Sequence, residues 1–142
     1  MTINFLTWFM AIALVATIGL GAMIWAYKGA GSVAVLFKEP LNPSPIPTDA
    51  GGEVAELFQQ GIEAYQSGAY RRAVDHFSAA IQKDDTFAEA YHNRGLALAN
   101  LRQDAEAVRN LMKAGDLYLE QGNQDAIVLL KQHLEVMKGS TR

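Results

Sequence analysis

The sequence predicts an all-α protein in three parts: a single N-terminal transmembrane helix over residues 1–28, a juxtamembrane and proline-rich linker over 29–52, and a helical hairpin stack with a C-terminal capping helix over 53–142. Three observations predict it. An uncharged apolar run opens the chain, all four prolines follow it within one short stretch, and a phrase of the remaining sequence is written twice at a fixed spacing. With 142 residues the chain has room for one small domain and an accessory segment. A net charge of −3, with Lys and Arg scattered singly apart from Arg71–Arg72, supplies no basic field for a nucleic-acid backbone. The absence of cysteine removes disulfides, thiolate zinc sites, iron–sulfur ligation and thiol catalysis, so packing alone must hold the fold.

The first element is the uncharged run Ile3–Tyr27, longer than the roughly 20 residues a helix needs to cross about 30 Å of hydrocarbon. Trp8 near one end and Trp25 with Tyr27 near the other stand about 25–29 Å apart at ~1.5 Å per residue, which suits an aromatic ring at each interface. The span is placed at Phe5–Ala26. A cleaved signal peptide is the competing reading, but no Lys or Arg precedes the run and it outlasts a usual h-region. Lys28 and Lys38 follow the helix, so the positive-inside rule puts the C-terminal part on the cytoplasmic or stromal side and the N-terminus outside or in a lumen. Ala13, Thr17 and Gly21 form a small-residue stripe on one helix face, the pattern that lets a second membrane helix pack closely.

The second element is "KEPLNPSPIPT". Its prolines at 40, 43, 45 and 47 each fix φ near −65° and hold the preceding residue out of the helical region. As polyproline II at ~3.1 Å per residue, residues 40–47 would act as a spacer of about 25 Å. A proline-motif docking site is the weaker reading, because no clean PxxP stands beside basic residues. The apolar "GSVAVLF" at 31–37 is expected either to lie along the membrane interface or to continue the helix end.

The remaining elements come from the repeated phrase. "GAYRRAVDHFSAAI" at 68–81 returns as "RQDAEAVRNLMKAG" 34 positions later, at 102–115. The register extends further, matching Gly61 with Gly95, Ala73 with Ala107, Val74 with Val108, Phe77 with Leu111, and Ala80 with Ala114. Small residues at matched positions let helices cross closely, and the bulky Phe or Leu fills the space between them. Helices are predicted at about 53–66, 70–83, 87–101, 104–121 and 124–138. Thr86 with Glu89 reads as a capping box, Gly68 as a left-handed stop, and Gly122–Asn123 and Gly139 as breaks. In the last helix Ile127, Leu130, Leu134 and Met137 form the packing stripe, whereas Val128, Leu129 and Val136 either widen the core contact or mark a surface that a partner covers.

These residues resemble the tetratricopeptide repeat family, whose 34-residue unit carries a small residue and an aromatic in its first helix and Ala, Phe and Ala in its second. The resemblance covers about residues 54–121, as one repeat over Val54–Phe87 and a second over Ala88–Gln121. Tyr91 stands at the family's first-helix aromatic position, and Leu57 replaces it in repeat one; Asp85 stands where proline is usual, and Gln60 and Arg94 replace a usual leucine. Three repeats are the usual minimum for a stable stack, so two must be closed by something else. The last helix is one candidate, and "AGDLYLEQGNQDA", with Gly115, Tyr118 and Gly122, echoes the start of a degenerate third repeat.

No local chemistry competes with a binding role. His76, His92 and His133 fall in three different helices without an HExxH or i,i+4 pattern and read as surface or groove residues. There is no P-loop, GxGxxG or GxSxG; Asp84–Asp85 reads as turn chemistry and Arg71–Arg72 as a solvated pair. A non-enzymatic chain with no cofactor, no metal and no small-molecule substrate is expected. The resemblance implies a concave groove lined by first helices, which puts Phe58, Ile62, Tyr65 and Gln66 from repeat one and Glu89, His92, Asn93, Leu96 and Asn100 from repeat two on its wall. Phe58 and Ile62 stand where members that clamp a carboxylate use basic or Asn residues, so an extended segment or amphipathic helix with apolar anchors is the expected ligand.

The layout of anchor, proline spacer and short repeat domain resembles the membrane-anchored tetratricopeptide proteins that help assemble photosystem I in cyanobacteria and plastids. That resemblance implies a thylakoid location and a scaffold that holds subunits of a membrane protein complex near the bilayer. Two alternatives stand beside it: a permanent accessory subunit of a photosynthetic or respiratory complex, and an adaptor that recruits a soluble enzyme to the membrane.

Overall fold

The computed structural model of the chain describes residues 35–42 and 51–140. The predicted span Phe5–Ala26, its Ala13/Thr17/Gly21 stripe and the prolines at 43, 45 and 47 lie outside the described residues. Among the described residues no helix is long and apolar enough to cross a membrane. The chain divides into two compact units, Met1–Val35 and Leu36–Arg142.

Among the described residues the second unit is all-helical. It comprises α1 (Gly51–Gln66), α2 (Tyr70–Lys83), α3 (Ala88–Asn100), α4 (Asp104–Gln121) and α5 (Gln124–Ser140). Helix α1 pairs with α2 and α3 with α4 as hairpins, α2 packs on α3, and α5 packs on α4. Helices α2 and α4 each bury one stripe, Ala73, Phe77, Ala80 and Ile81 in α2 and Ala107, Leu111, Ala114, Leu117 and Tyr118 in α4, whereas the central α3 is buried on nearly all sides. The repeat period is physical at the crossings. A Cβ at Gly61 would stand 2.5 Å from Phe77 Cε1, and one at Gly95 would stand 2.9 Å from Leu111 Cδ2, so the glycine lets the bulky residue of the next helix reach the helix axis in both hairpins.

The turns repeat as well. Gly68 (φ 77°), Arg102 (φ 61°) and Gly122 (φ 69°) all take the left-handed conformation. In each, the following residue donates back to a carbonyl of the last helical turn: Ala69 N–H to Ala64 O, Gln103 N–H to Leu98 O, and Asn123 N–H to Tyr118 O, all 2.9 Å. Three helices therefore end in the same Schellman closure, and Arg102 occupies in the second hairpin the position that Gly68 occupies in the first.

Three expectations are corrected. Thr86 does not cap α3; its hydroxyl and its N–H both donate to Asp84 Oδ1, at 2.7 and 2.9 Å, so the closer carboxylate takes the side chain a capping box would need. Gly139 does not break α5, which runs on to Ser140. Gly115 and Tyr118 lie on α4, which turns at Gly122 into α5, and a Cβ at Gly115 would stand 3.1 Å from Leu130 Cδ2 of α5. Val128 and Val136 do not widen the core: both are exposed, while Ile127, Leu130 and Met137 are buried and Leu134 packs against them.

Where the sequence places the linker, Leu36–Asn42 belongs to the helical unit. Phe37 is 6 % exposed and Leu36 packs against the core, so these two residues neither follow a membrane interface nor prolong a helix. Pro40 likewise lies on the helical unit and does not serve as the start of a spacer leading away from it.

Candidate functional site: a helical face that holds residues 36–42

Helices α1 and α3 are the first helices of the two hairpins, and Tyr65, Asn93 and Asn100 project from them onto a common face. That face holds Leu36–Asn42, which lies in neither helix nor strand. Phe37 N–H donates to Asn100 Oδ1 at 3.0 Å, and Asn100 Nδ2 donates back to Phe37 O at 2.8 Å. The pattern recurs one step along the segment: Leu41 N–H donates to Asn93 Oδ1 at 2.7 Å, and Asn93 Nδ2 donates to Leu41 O at 2.8 Å. A carboxamide carries one acceptor and two donors, so it can replace the strand neighbour that an extended backbone would otherwise lack. Tyr65 completes the first clamp. Its hydroxyl donates to Phe37 O at 2.8 Å and accepts from Asn100 Nδ2 at 2.9 Å. Burial, and then the neighbouring Tyr70, push its pKa well above the ordinary 10.0, so the hydroxyl keeps its proton and remains a donor.

Geometry selects the conformation of the occupant. Asn93 and Asn100 lie two helical turns apart, about 10.5 Å at ~1.5 Å per residue. The clamped residues Phe37 and Leu41 span about 12 Å if extended at ~3.1 Å per residue, but only about 6 Å if helical. Leu36–Asn42 accordingly crosses the face in a non-helical conformation, running antiparallel to α3.

Beneath Phe37 lies a pair of imidazoles. His92 is fully buried, its Nε2 2.9 Å from His133 Nδ1 on α5 and its Nδ1 3.3 Å from the Tyr118 hydroxyl on α4. The His133 ring meets Phe37 edge-on with centroids 4.9 Å apart. Burial, followed by the charge of His133, lowers His92 to about 3, and burial lowers His133 as well. Neutral rings satisfy both contacts in either of two tautomer sets. His76 stands outside this pair, and among the described residues no group of three or more His, Cys, Asp or Glu converges.

The other predicted wall residues sort by burial. Phe58 lies in the core against Phe77 and Phe87, with centroids 5.5 and 4.7 Å away, and Ile62 and Leu96 are buried beside it. Glu89 is half-buried, and burial raises its carboxyl above the usual range. Gln66 is exposed. The face thus brings together Tyr65, Asn93 and Asn100 around the segment and sets His92 behind them. Two features escaped the sequence reading: the occupant itself, whose only signal was apolar Leu36, Phe37 and Leu41 in a supposed spacer, and the His92–His133 pair, which is contributed by helices far apart in sequence.

Residues 61–101 match the family model described as TPR repeat, the interval from the close-approach Gly61 to the end of α3. With the all-helical hairpin stack, this supports the tetratricopeptide class and a protein partner as its ligand. No curated protein and no solved structure matches the chain.

Proposed function

We propose that the chain is a membrane-tethered, non-enzymatic scaffold that holds subunits of a membrane protein complex near the bilayer during assembly, photosystem I being the complex its layout suggests. One observation carries the binding part of the reading: the Asn93 and Asn100 carboxamides pair with the main chain of an extended segment, so the α1–α3 face is chemically suited to polypeptide. The TPR repeat match at 61–101 supports the same role, since such repeats mediate protein contacts. The tether rests on the uncharged run Ile3–Tyr27. Confining scaffold and client to one membrane raises their effective concentration and permits binding weak enough to be released.

A second reading, the permanent accessory subunit, draws on the exposed apolar residues of the other side. Val108, Met112 and Leu119 share one stripe of α4, and Val128 and Val136 lie on α5. Cross-linking mass spectrometry on the tagged chain in native membranes, with an Asn93→Ala/Asn100→Ala variant alongside, separates the two. The scaffold reading expects cross-links from the α1–α3 face to subunits of one membrane complex, fading in the variant. Stoichiometric cross-links from the α4–α5 side or the N-terminal segment, unchanged in the variant, would replace it with the accessory subunit.

A further inference from the structure

The chain supplies its own occupant for the face that the scaffold reading assigns to a partner. We propose that Leu36–Asn42 is a displaceable intramolecular ligand: the α1–α3 face recognises an extended segment with an aromatic residue followed four positions later by an aliphatic one, and a partner segment of that pattern binds by exchange with the chain's own copy. This deepens the scaffold reading and rests on it.

The pattern follows from what the face touches. The four amide–backbone bonds at Phe37 and Leu41 use main-chain atoms that any non-proline residue offers at those two positions, so they fix conformation and register and leave side-chain identity open. Selectivity is left to the side chains. Phe37 is buried against His133, and Leu36 and Leu41 are half-buried, whereas Lys38 and Glu39 are exposed and contribute little to recognition. Pro40 sits between the two clamps, where no N–H is called on, and it holds the preceding Glu39, where the segment bends, out of the helical region. An aromatic residue at the first clamp and an aliphatic residue at the second are therefore what a competitor must carry.

Exchange is mechanically open. The described hydrogen bonds from Leu36–Asn42 to the rest of the unit run through three side chains, Tyr65, Asn93 and Asn100, and none belongs to a helix ladder. The segment can leave without breaking a helix, and water can meet the three polar groups it uncovers. Holding it in place is proximity: residues 43–50 are all that separate it from α1, and a connection that short gives an effective concentration on the order of millimolar. The apparent affinity for an outside segment is then reduced by the fraction of open face, about tenfold if the segment's intrinsic dissociation constant is about 100 μM.

The test uses the full chain in mild detergent and a fluorescent peptide of sequence LFKEPLN, identical to residues 36–42. Anisotropy titrations compare the native chain with a Leu41→Pro chain, which loses the N–H that Asn93 accepts while leaving every helix residue intact. The peptide should bind the Leu41→Pro chain up to about tenfold more tightly than the native chain. Adding Asn93→Ala/Asn100→Ala, or replacing the peptide's phenylalanine by serine, should abolish binding. Because the chain has no cysteine, a nitroxide on Lys38→Cys gives an independent readout and should become mobile when unlabelled peptide is added in excess. Equal binding to the native and Leu41→Pro chains overturns the proposal, as does failure to bind either chain, which would make the segment a fixed part of the fold. Either of those results beside partner cross-links from the α1–α3 face would leave the scaffold reading standing and remove only the exchange.

Discussion

His92 Nε2 and His133 Nδ1 stand 2.9 Å apart and link α3 to α5, with Phe37 lying edge-on against the second ring. One hydrogen bond thus ties the second hairpin to α5, with Phe37 of the bound segment packed on it, and it requires at least one ring nitrogen to stay unprotonated.

Stability should therefore fall on mild acidification. Folded His92 is lowered to about 3 from an ordinary 6.5, mainly by burial, so the unfolded chain takes up the proton first. The stabilisation is complete above pH 6.5 and is lost as pH falls from there toward 3, at up to about 1.4 kcal/mol per pH unit for this one site. His133, half-exposed and also lowered, acts in the same direction. Tyr118 stays neutral throughout this range, and Glu89, raised by burial, acts in the opposite direction only in the window between its raised value and its ordinary 4.5. Urea unfolding at pH 8, 7, 6 and 5 should give a flat upper limb and a decline below 6.5; a His92→Gln chain should lose most of the decline. A pH-independent midpoint from 8 to 5 would contradict the buried neutral pair.

Close helix approach predicts a different sensitivity at Gly95. An added Cβ would meet Leu111 at 2.9 Å and the Ala107 carbonyl oxygen at 3.2 Å, and the carbonyl cannot rotate away as a side-chain tip can. Gly95→Ala should destabilise by about 1–3 kcal/mol despite alanine's better helix propensity. Gly52→Ala, with nothing within 4 Å, is the control and should be neutral or slightly stabilising. Thermal denaturation of the pair by circular dichroism separates packing from propensity.

Arg102 offers the reverse case. A side chain in the left-handed region costs about 1–2 kcal/mol relative to glycine, part of which glycine gives back as unfolded-chain entropy. Arg102→Gly should accordingly raise stability by about 0.5–1 kcal/mol, and Gly68→Ala, at the matching turn, should lower it by a similar amount. Denaturant midpoints measured at constant slope decide both.

The hairpins were legible in the sequence because their determinants are local and repeat. The 34-residue spacing fixed Gly61, Gly95, Phe77 and Leu111 at the crossings, and the predicted helices match the observed ones to within about two residues at nearly every end. The capping box failed because Asp84 and Thr86 both match turn chemistry, and only the competition between the two acceptors decides which is used. The occupant of the α1–α3 face was illegible for a different reason. Nothing local to "LFKEPLN" marks it as bound, since its hydrogen-bond partners Asn93 and Asn100 lie 52 and 63 positions further on. The two asparagines share a face with Tyr65, but what they hold is a long-range fact.

That long-range pairing makes its own prediction, with a signature specific to each clamp. The Phe37 and Leu41 amides donate only to side chains, so amide hydrogen exchange reports each asparagine separately. Asn93→Ala should deprotect Leu41 and lower overall stability by about 1–3 kcal/mol, the cost of leaving backbone groups poorly paired, with Phe37 losing less because Asn100 and Tyr65 still hold it. Asn100→Ala should deprotect Phe37 first, and Tyr65→Phe should loosen the Phe37 carbonyl while leaving its N–H bond to Asn100 in place. Helix amides in α1 and α3 should stay protected in all three variants, because their ladders are internal. If Phe37 and Leu41 exchange at the free-peptide rate in the native chain, the clamps are not closed in solution. If instead all three variants deprotect the helices and the segment together, the segment is a cooperative part of the fold and cannot be exchanged for a partner's.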